Sequence, residues 1–282
     1  MSNNGENQGS ASKLTLKVQR YNPDHDKAPY MQEFTVPFRK GMTVLDGLLY
    51  IRENIDTSLA FRASCRMAIC GSCAMLINNL PRLACHTPVE EIGEFTLEIK
   101  SLPNFAIVKD LVPDTTRLFE KHESVKPYLM REDREEMEQP TGEFLQSPDE
   151  LESYLQFAYC IKCGACVSAC PTSATGKLYL GPQALTQAYR YCADSRDNKS
   201  GERIPAVDTY YGVWGCHFAG ACSQACPKGV DPALAIQLLK RKVFAQSLGG
   251  KERTPSPVAD PPNESKEKVP VPEFTVTEEN RS

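Results

Sequence analysis

Eleven of the twelve cysteines in this 282-residue chain fall into three spaced groups. CIKCGACVSACP, Cys160 to Pro171, has the order C-x2-C-x2-C-x3-C-P, which is the ligand spacing of [4Fe–4S] clusters. Cys160, Cys163 and Cys166 lie on one tight turn that can aim three thiolates at one iron–sulfide cube. In this pattern the cysteine before proline serves a different cluster, so Cys170 requires a second motif. CHFAGACSQACP, Cys216 to Pro227, repeats the spacing but carries Ala219 where a full motif would carry its second cysteine. If the motifs exchange their last cysteines, Cys160, Cys163, Cys166 and Cys226 surround one [4Fe–4S] cluster, leaving Cys170, Cys216 and Cys222 for the other site. An alanine methyl has no lone pair, so three thiolates with an unheld fourth corner predict a [3Fe–4S] cluster there. Zinc is the competing reading, since it also takes C-x2-C thiolates. Zinc sites, however, call for neither four cysteines per motif nor the closing proline.

The third group lies upstream. Cys65, Cys70 and Cys73 in CRMAICGSC have the C-x4-C-x2-C spacing of plant-type [2Fe–2S] ferredoxins, with Cys85 as the distant fourth ligand. Gly71 and Ser72 let backbone N–H groups approach sulfur, where hydrogen bonds stabilise the charge that grows on reduction. Cys192 belongs to no motif and falls on an apolar helical stripe, which predicts a buried small hydrophobe.

Elements that could hold these loops are legible from periodicity. Alternation at Leu14, Leu16 and Val18, and again over Glu33–Phe38, predicts two strands. Thr43 is placed to cap a helix with Val44, Leu45, Leu48 and Leu49 on one side. Short strands over Ala74–Asn78, Leu83–Cys85 and Phe95–Ile99 complete a small mixed unit of β-grasp type. Pro103–Gln146 reads as a linker with helical pieces, its charged run Arg131–Glu138 a solvated face. Ser147 or Asp149 caps a helix running through Leu151, Tyr154, Leu155 and Ala158 into the first twin loop. Pro182 starts another, with Ala184, Leu185, Ala188, Tyr191 and Cys192 as its stripe. Asp231-Pro232 starts the last, which runs to about Leu248 and is stopped by Gly249 and Gly250.

The fold class expected is therefore α+β: an N-terminal β-grasp, plant-type ferredoxin domain over 13–105, a linker over 106–146, and a helical bacterial-type two-cluster ferredoxin domain over 147–248. Polar and Pro-rich tails, 1–12 and 249–282, flank them. A net charge of −4 points away from nucleic acid as a partner. No apolar run approaches the ~20 residues of a membrane-spanning helix. The N-terminus lacks the pattern of a signal or Arg-rich transit peptide, so a reducing bacterial or archaeal cytoplasm is expected.

No Ser–His–Asp set, phosphate-binding GxxxxGK[ST] or GxGxxG fingerprint accompanies the cysteines. The chain reads as an electron carrier with no catalytic residues of its own, the bond chemistry being done on a cofactor in another subunit. The order of a plant-type motif, then CxxCxxCxxxCP, then CxxxxxCxxxCP resembles the iron–sulfur subunit of succinate dehydrogenase and fumarate reductase, respiratory complex II. The likeness covers about Lys13 to Ala245 and extends to GPQALTQAYRYCADSRD and GVWGCHFAGACSQACPKGVDP. It implies a flavoprotein partner with FAD and the dicarboxylate site, and a membrane anchor, often with haem b, that holds the chain peripherally at the cytoplasmic face. Electrons from succinate would pass FAD, [2Fe–2S], [4Fe–4S], [3Fe–4S] and then quinone, or the reverse in a quinol:fumarate reductase. Pro171, His217 and Lys228 match family positions near the quinone pocket, the alternative being that His217 packs beside its cluster and Lys228 is a surface charge. A tryptophan several relatives carry after the first Cys-Pro is absent, and the sole tryptophan, Trp214, lies in the other loop. A soluble multicluster ferredoxin and a hydratase-like lyase with an open iron site are the other readings. The first would lack an exposed apolar patch near the three-cysteine loops, and the second would lack the plant-type domain.

Overall fold

The structure, a computed structural model, describes residues 13–249. The expectations for the two tails and for Gly250 lie outside the described residues. Contacts divide the described chain into two units, 13–101 with 107–113, and 102–106 with 114–249.

In the first unit, β1 (Lys13–Arg20) pairs antiparallel with β2 (Tyr30–Pro37), setting Leu14 opposite Val36 and Leu16 opposite Phe34. β1 also runs parallel to β5 (Thr96–Lys100), and β5 pairs antiparallel with β3 (Ala74–Ile77), which carries β4 (Leu80–Leu83) at the edge. The sheet order is β2-β1-β5-β3-β4, the mixed arrangement of a β-grasp. Leu14, Leu16 and Val18 alternate to one face and are wholly buried, each contributing roughly 2 kcal/mol of transfer free energy.

The helix Val44–Asn54 covers that face. Thr43 accepts from the Asp46 N–H at 3.2 Å while the Asp46 carboxylate accepts from the Thr43 N–H at 2.9 Å, a capping box. Val44, Leu45, Leu48 and Ile51 point inward. Gly47 sets how near the helix sits, because a Cβ there would lie 2.8 Å from Leu16 Cδ1.

Two expectations need correction. Leu83–Cys85 is not a strand: β4 ends at Leu83, and Ala84–His86 forms a 3-10 turn. The cause is the Asn78-Asn79 loop, whose residues have φ of 45° and 62°, the two-residue hairpin turn that asparagine tolerates. It starts β4 earlier, and Pro81 is accommodated on an edge strand. Part of the expected linker is also sheet structure, since Ile107–Lys109 pairs with Val112–Pro113. At the tip of that hairpin buried Asp110 accepts from Arg20 Nε (3.1 Å), the Tyr21 N–H (2.9 Å) and the Ala60 N–H (2.8 Å), which ties the hairpin into the first unit.

The second unit is helical. Pro182–Ala193 and Pro232–Ser247 form its centre, with Leu185, Ala188, Tyr189, Ile236, Leu239 and Val243 buried between elements. Asp231 caps the last helix through the Leu234 N–H at 2.9 Å, and Ser147 caps Pro148–Glu152. The single helix expected from there to Ala158 is two short ones, Pro148–Glu152 and Leu155–Ala158. The break lets Tyr154 and Phe157 turn inward while Leu151 faces out. A further helix, Ser200–Val207, was not legible because it contains Pro205. Its Arg203 is wholly buried and bonds Asp197 at 2.8 Å and the Tyr128 carbonyl at 3.0 Å. Arg134–Glu138 is a helix without a buried residue, the solvated face expected.

Asp110→Ala leaves the buried Arg20 contact and two partly buried N–H groups without their acceptor, so a loss of about 3 kcal/mol is expected. Asp110→Asn keeps an acceptor and a residue type that tolerates the φ of 46° and should cost much less. Amide hydrogen exchange in β1 is the measurement.

Candidate cluster sites

Loop geometry in the first unit is set by left-handed backbone at Arg66 and Ala68 (φ 57° each) and Gly71 (φ 72°). The resulting curl turns N–H groups inward. Cys65 Sγ accepts from the N–H groups of Met67, Ile69 and Cys70 at 3.4, 3.3 and 3.3 Å, and Cys85 Sγ from Ala68 N–H at 3.4 Å. Cys70 Sγ lies 3.1 Å from Ser72 Oγ. Burial opposes ionisation of Cys70, but hydrogen bonds from the Ser72 hydroxyl and from the Cys65 and Ser72 backbone outweigh it and draw the thiol down to about 6. Burial pushes Cys73 up to about 12. Anionic sulfur is thus favoured at the rim, with backbone donors in place for it.

In the second unit the twin loops share one backbone. Every position of the second lies 56 residues after its counterpart, from Cys160 and Cys216 to Pro171 and Pro227. Lys162 and Phe218 both take φ near 57° (56° and 57°), and Gly164 and Gly220 take 84° and 74°. Each loop then enters a one-turn helix, Ala165–Ser168 or Ala221–Gln224. The sulfurs divide between two cavities. Cys160, Cys163, Cys166 and Cys226 line one cavity of ≈ 380 Å³, counted to its open mouth, whereas Cys170, Cys216 and Cys222 line another of ≈ 320 Å³ with Ala219 on its wall. Among the described residues, no three His, Cys, Asp or Glu side chains converge tightly enough to hold a single metal ion. Four or three sulfurs around a wider cavity suit a multi-atom group better than one zinc with sulfur at about 2.3 Å.

Burial pushes Cys163 and Cys222 up to about 12 and Cys226 up to about 11. It also pushes Cys166 well above the ordinary thiol value, with the neighbouring thiols Cys160 and Cys163 adding to the effect. As bare thiols these groups are neutral. Binding a cationic iron–sulfide group must therefore displace their protons, the usual coupling of metal loading to pH.

Of the remaining predicted residues, Pro171 and His217 border the three-cysteine cavity, but Lys228 borders the four-cysteine one. Trp214 lines neither of these two cavities; its indole N–H donates to Asp208 at 2.7 Å, and Lys240 Nζ stands 5.9 Å from its ring. Cys192 is buried in the helical core, with its carbonyl held by Lys242 Nζ and its sulfur 3.7 Å from Arg203.

Three site residues were missed. Asn104 Nδ2 donates to the carbonyls of Val167, Ser168 and Cys170 at 2.9, 3.0 and 3.2 Å, fixing the end of the first loop. Gln183 lines the four-cysteine cavity together with Cys160. Its Nε2 lies 3.2 Å from His122 Nδ1, so the imidazole accepts there, in keeping with the lowering of its pKa by burial and Lys162. Tyr179 lines the three-cysteine cavity. None lies inside a cysteine motif, and spacing alone gives no sign of them.

A cysteine-looped mixed sheet followed by a helical unit with twin C-P loops defines an iron–sulfur protein of combined [2Fe–2S] and dicluster type. Residues 15–120 match the family described as a 2Fe-2S iron-sulfur cluster binding domain, and 156–230 the 4Fe-4S dicluster domain. The chain is 43% identical over 224 residues to the fumarate reductase iron-sulfur subunit of Escherichia coli O6:H1, covering 79% of this chain and 90% of that protein. It is 43% identical over 236 residues to the Mycobacterium tuberculosis fumarate reductase iron-sulfur subunit, covering 84% and 95%. With the succinate dehydrogenase iron-sulfur subunit of Paracoccus denitrificans it shares 39% over 235 residues, 83% and 89%. A solved chain of the Mycobacterium smegmatis Sdh1 complex in the apo form has the same fold, with a TM-score of 0.75 at 23% identity over 85% of this chain and 98% of that one. The chain belongs to the family of iron–sulfur subunits of fumarate reductase and succinate dehydrogenase.

The twin glycines separate geometry from packing. A Cβ on Gly164 would lie 3.1 Å from Phe105 Cζ, whereas one on Gly220 meets nothing within 4 Å. Gly220→Ala should cost only the left-handed strain, about 1 kcal/mol, and keep full iron content. Gly164→Ala should lose iron from the four-cysteine site, as read by iron and acid-labile sulfide per chain. Stripping the iron should also leave a chain that becomes less stable above about pH 8.5: its thiols ionise there when unfolded but stay neutral while buried. Stability from these raised groups is present below that pH and is lost as pH climbs toward the folded values, which urea melts at several pH values will show.

Proposed function

We propose that the chain is the electron-transfer subunit of a succinate:quinone oxidoreductase, carrying single electrons between a flavoprotein and quinone at a membrane anchor. The observation that carries this is the lining of one cavity by four twin-loop sulfurs and of another by three, with Ala219 on the wall of the second. On this reading Cys65, Cys70, Cys73 and Cys85 hold [2Fe–2S], Cys160, Cys163, Cys166 and Cys226 hold [4Fe–4S], and Cys170, Cys216 and Cys222 hold [3Fe–4S]. Bound clusters supply one-electron redox chemistry at potentials set by ligand charge, hydrogen bonding and burial.

The chain's own groups do the rest. Backbone N–H donors curled around Cys65 and Cys85 favour the added negative charge, and the buried walls around Cys166 and Cys222 keep water from the sulfur. FAD and the dicarboxylate site belong to the flavoprotein partner, and haem b, where present, to the anchor. Exposed apolar side chains cluster near the three-cysteine loop: Phe218 (60% exposed) on the cavity wall, with Leu178, Tyr210, Tyr211 and Trp214 on neighbouring segments. A patch of that kind favours a docked subunit over a free-standing soluble carrier. The same reading puts the chain peripherally at the cytoplasmic face of a bacterial or archaeal membrane, held by the anchor; no helix among the described residues is long and apolar enough to cross a membrane. Pro171 and His217 are the quinone-side candidates, with His217 able to donate to a quinone oxygen. The position of Lys228 on the other cavity makes it the weaker candidate. The reverse direction, quinol:fumarate reduction, uses the same groups and is favoured by the names of the E. coli and M. tuberculosis relatives.

Ala219→Cys supplies the missing thiolate. The variant should convert the three-iron centre to a four-iron one of lower potential, with loss of the oxidised-state [3Fe–4S] EPR signal. A wild-type protein without that signal, or a variant that keeps it unchanged, refutes the ligand count.

A further inference from the structure

Two short spans of chain pass between the sulfur-lined cavities. Cys166 lines the four-cysteine cavity and Cys170, four residues on, lines the three-cysteine one, while Cys222 and Cys226 make the same crossing in the opposite direction. Whatever fixes these spans also fixes how one sulfur set lies relative to the other.

The first span is gripped at its carbonyls by a residue outside the cysteine motifs. Asn104 Nδ2 donates to the carbonyls of Val167, Ser168 and Cys170 at 2.9, 3.0 and 3.2 Å. Carbonyl oxygens only accept, so the NH2 end of the amide faces them and shares its hydrogens among all three. The carbonyls lie at and just beyond the end of the one-turn helix Ala165–Ser168, where few backbone N–H groups remain to reach them. Asn104 itself is left-handed, with φ of 67°, a conformation asparagine tolerates better than most residues. Its neighbours meet the other end of the same loop, since a Cβ on Gly164 would come 3.1 Å from Phe105 Cζ and 3.6 Å from Leu102 Cδ1. Segment Leu102–Ala106, part of the helical unit, thus straps the loop at both ends. Val167 carries the grip across, because its side chain packs on Cys166, Cys222 and Ala233. The second span is tied by other groups: Ser223, the counterpart of Val167, bonds the Asp231 carboxylate and accepts from the Ala233 N–H at 3.1 Å.

We infer that Asn104 is a positioning residue for the paired centres of the helical unit. Bound to the carbonyls of the Cys166–Cys170 span, its amide sets the two sulfurs that this span delivers to different cavities, and with them the mutual geometry of both clusters. This rests on the reading of the twin-loop cysteines as ligands of a four-iron and a three-iron centre. Asn104 is exposed, so replacing it empties no core space and acts through the lost hydrogen bonds.

Two variants, made in the cluster-loaded full chain within its complex, test this. Asn104→Gly keeps the left-handed backbone without strain and deletes the donor. Asn104→Asp keeps the shape but turns an acceptor toward three acceptors. In each, the chelator concentration that removes half of the four-iron and three-iron EPR signals should fall about tenfold, a usual cost of losing a partner that orients a ligand. The [2Fe–2S] signal should stay unmoved as an internal reference. In the fully reduced protein, the broadening of each twin-loop centre by its neighbour's spin should change too. It depends on their spacing and orientation, which a side chain that merely stabilised the fold would not move. Unaltered behaviour in both variants, a change in only one variant, a change at only one of the two centres, or an equal loss of the [2Fe–2S] signal overturns the inference. Should either variant be isolated with no twin-loop cluster, Asn104→His decides, because it restores an N–H donor on a residue that also tolerates this backbone. Recovery of both signals then supports the donor, and their continued absence overturns it. A wild type without four-iron and three-iron signals overturns the ligand reading, and the inference with it.

Discussion

Everything in the helical unit depends on two short turns each sending its last sulfur into the other's cavity. Cys170 leaves the first loop to join Cys216 and Cys222, and Cys226 leaves the second to join Cys160, Cys163 and Cys166. That exchange couples segments 56 positions apart, Cys160 to Cys216, so neither site exists until the helices between the loops have packed. Helices Pro182–Ala193 and Pro232–Ser247 supply the frame, with Ala184, Ala188 and Ala235 keeping their approach close. Proline after each last cysteine ends the loop and, at Pro171, opens the next short helix, where its missing N–H costs nothing.

Sulfur sites of this kind conflict with ordinary core formation. Thiols gathered in a buried cavity resist ionisation, as the upward displacement of Cys163, Cys166, Cys222 and Cys226 shows, yet ligation requires thiolates. The chain answers with backbone strained into the left-handed region at Lys162, Gly164, Phe218 and Gly220 in the second unit and at Arg66, Ala68 and Gly71 in the first. In the first unit those bends aim N–H groups at sulfur. Four of the nine non-glycine residues with positive φ among the described residues, Arg66, Ala68, Lys162 and Phe218, lie in these loops.

The family relationship and the cavity chemistry agree on an electron carrier. Three titratable side chains serve the fold: Asp110 anchors a hairpin, Asp197 neutralises buried Arg203, and His122 accepts from Gln183. The asymmetry between the twin loops is where function enters. One residue, Ala219, distinguishes two otherwise superimposable spacings, and the side chains that reach into the cavities differ as well, an amide in one and a phenol in the other.

Sequence alone determined the three cysteine groups, their division into four, four and three, and the order of a mixed sheet before a helical unit, because ligand spacing and apolar periodicity are local properties of the chain. Caps at Thr43, Ser147 and Asp231 were legible for the same reason. Only tertiary structure decided that Asn78-Asn79 makes the tight hairpin, that Ile107–Pro113 returns to the first sheet unit, and that Lys228 stands beside the four-sulfur cavity rather than the three-sulfur one. It alone brought Gln183 and Tyr179 to the walls of the sulfur-lined cavities and Asn104 to the carbonyls that end the first loop, since each arrives through packing between segments distant in the chain, and no pattern of neighbours in a single sequence encodes such a meeting.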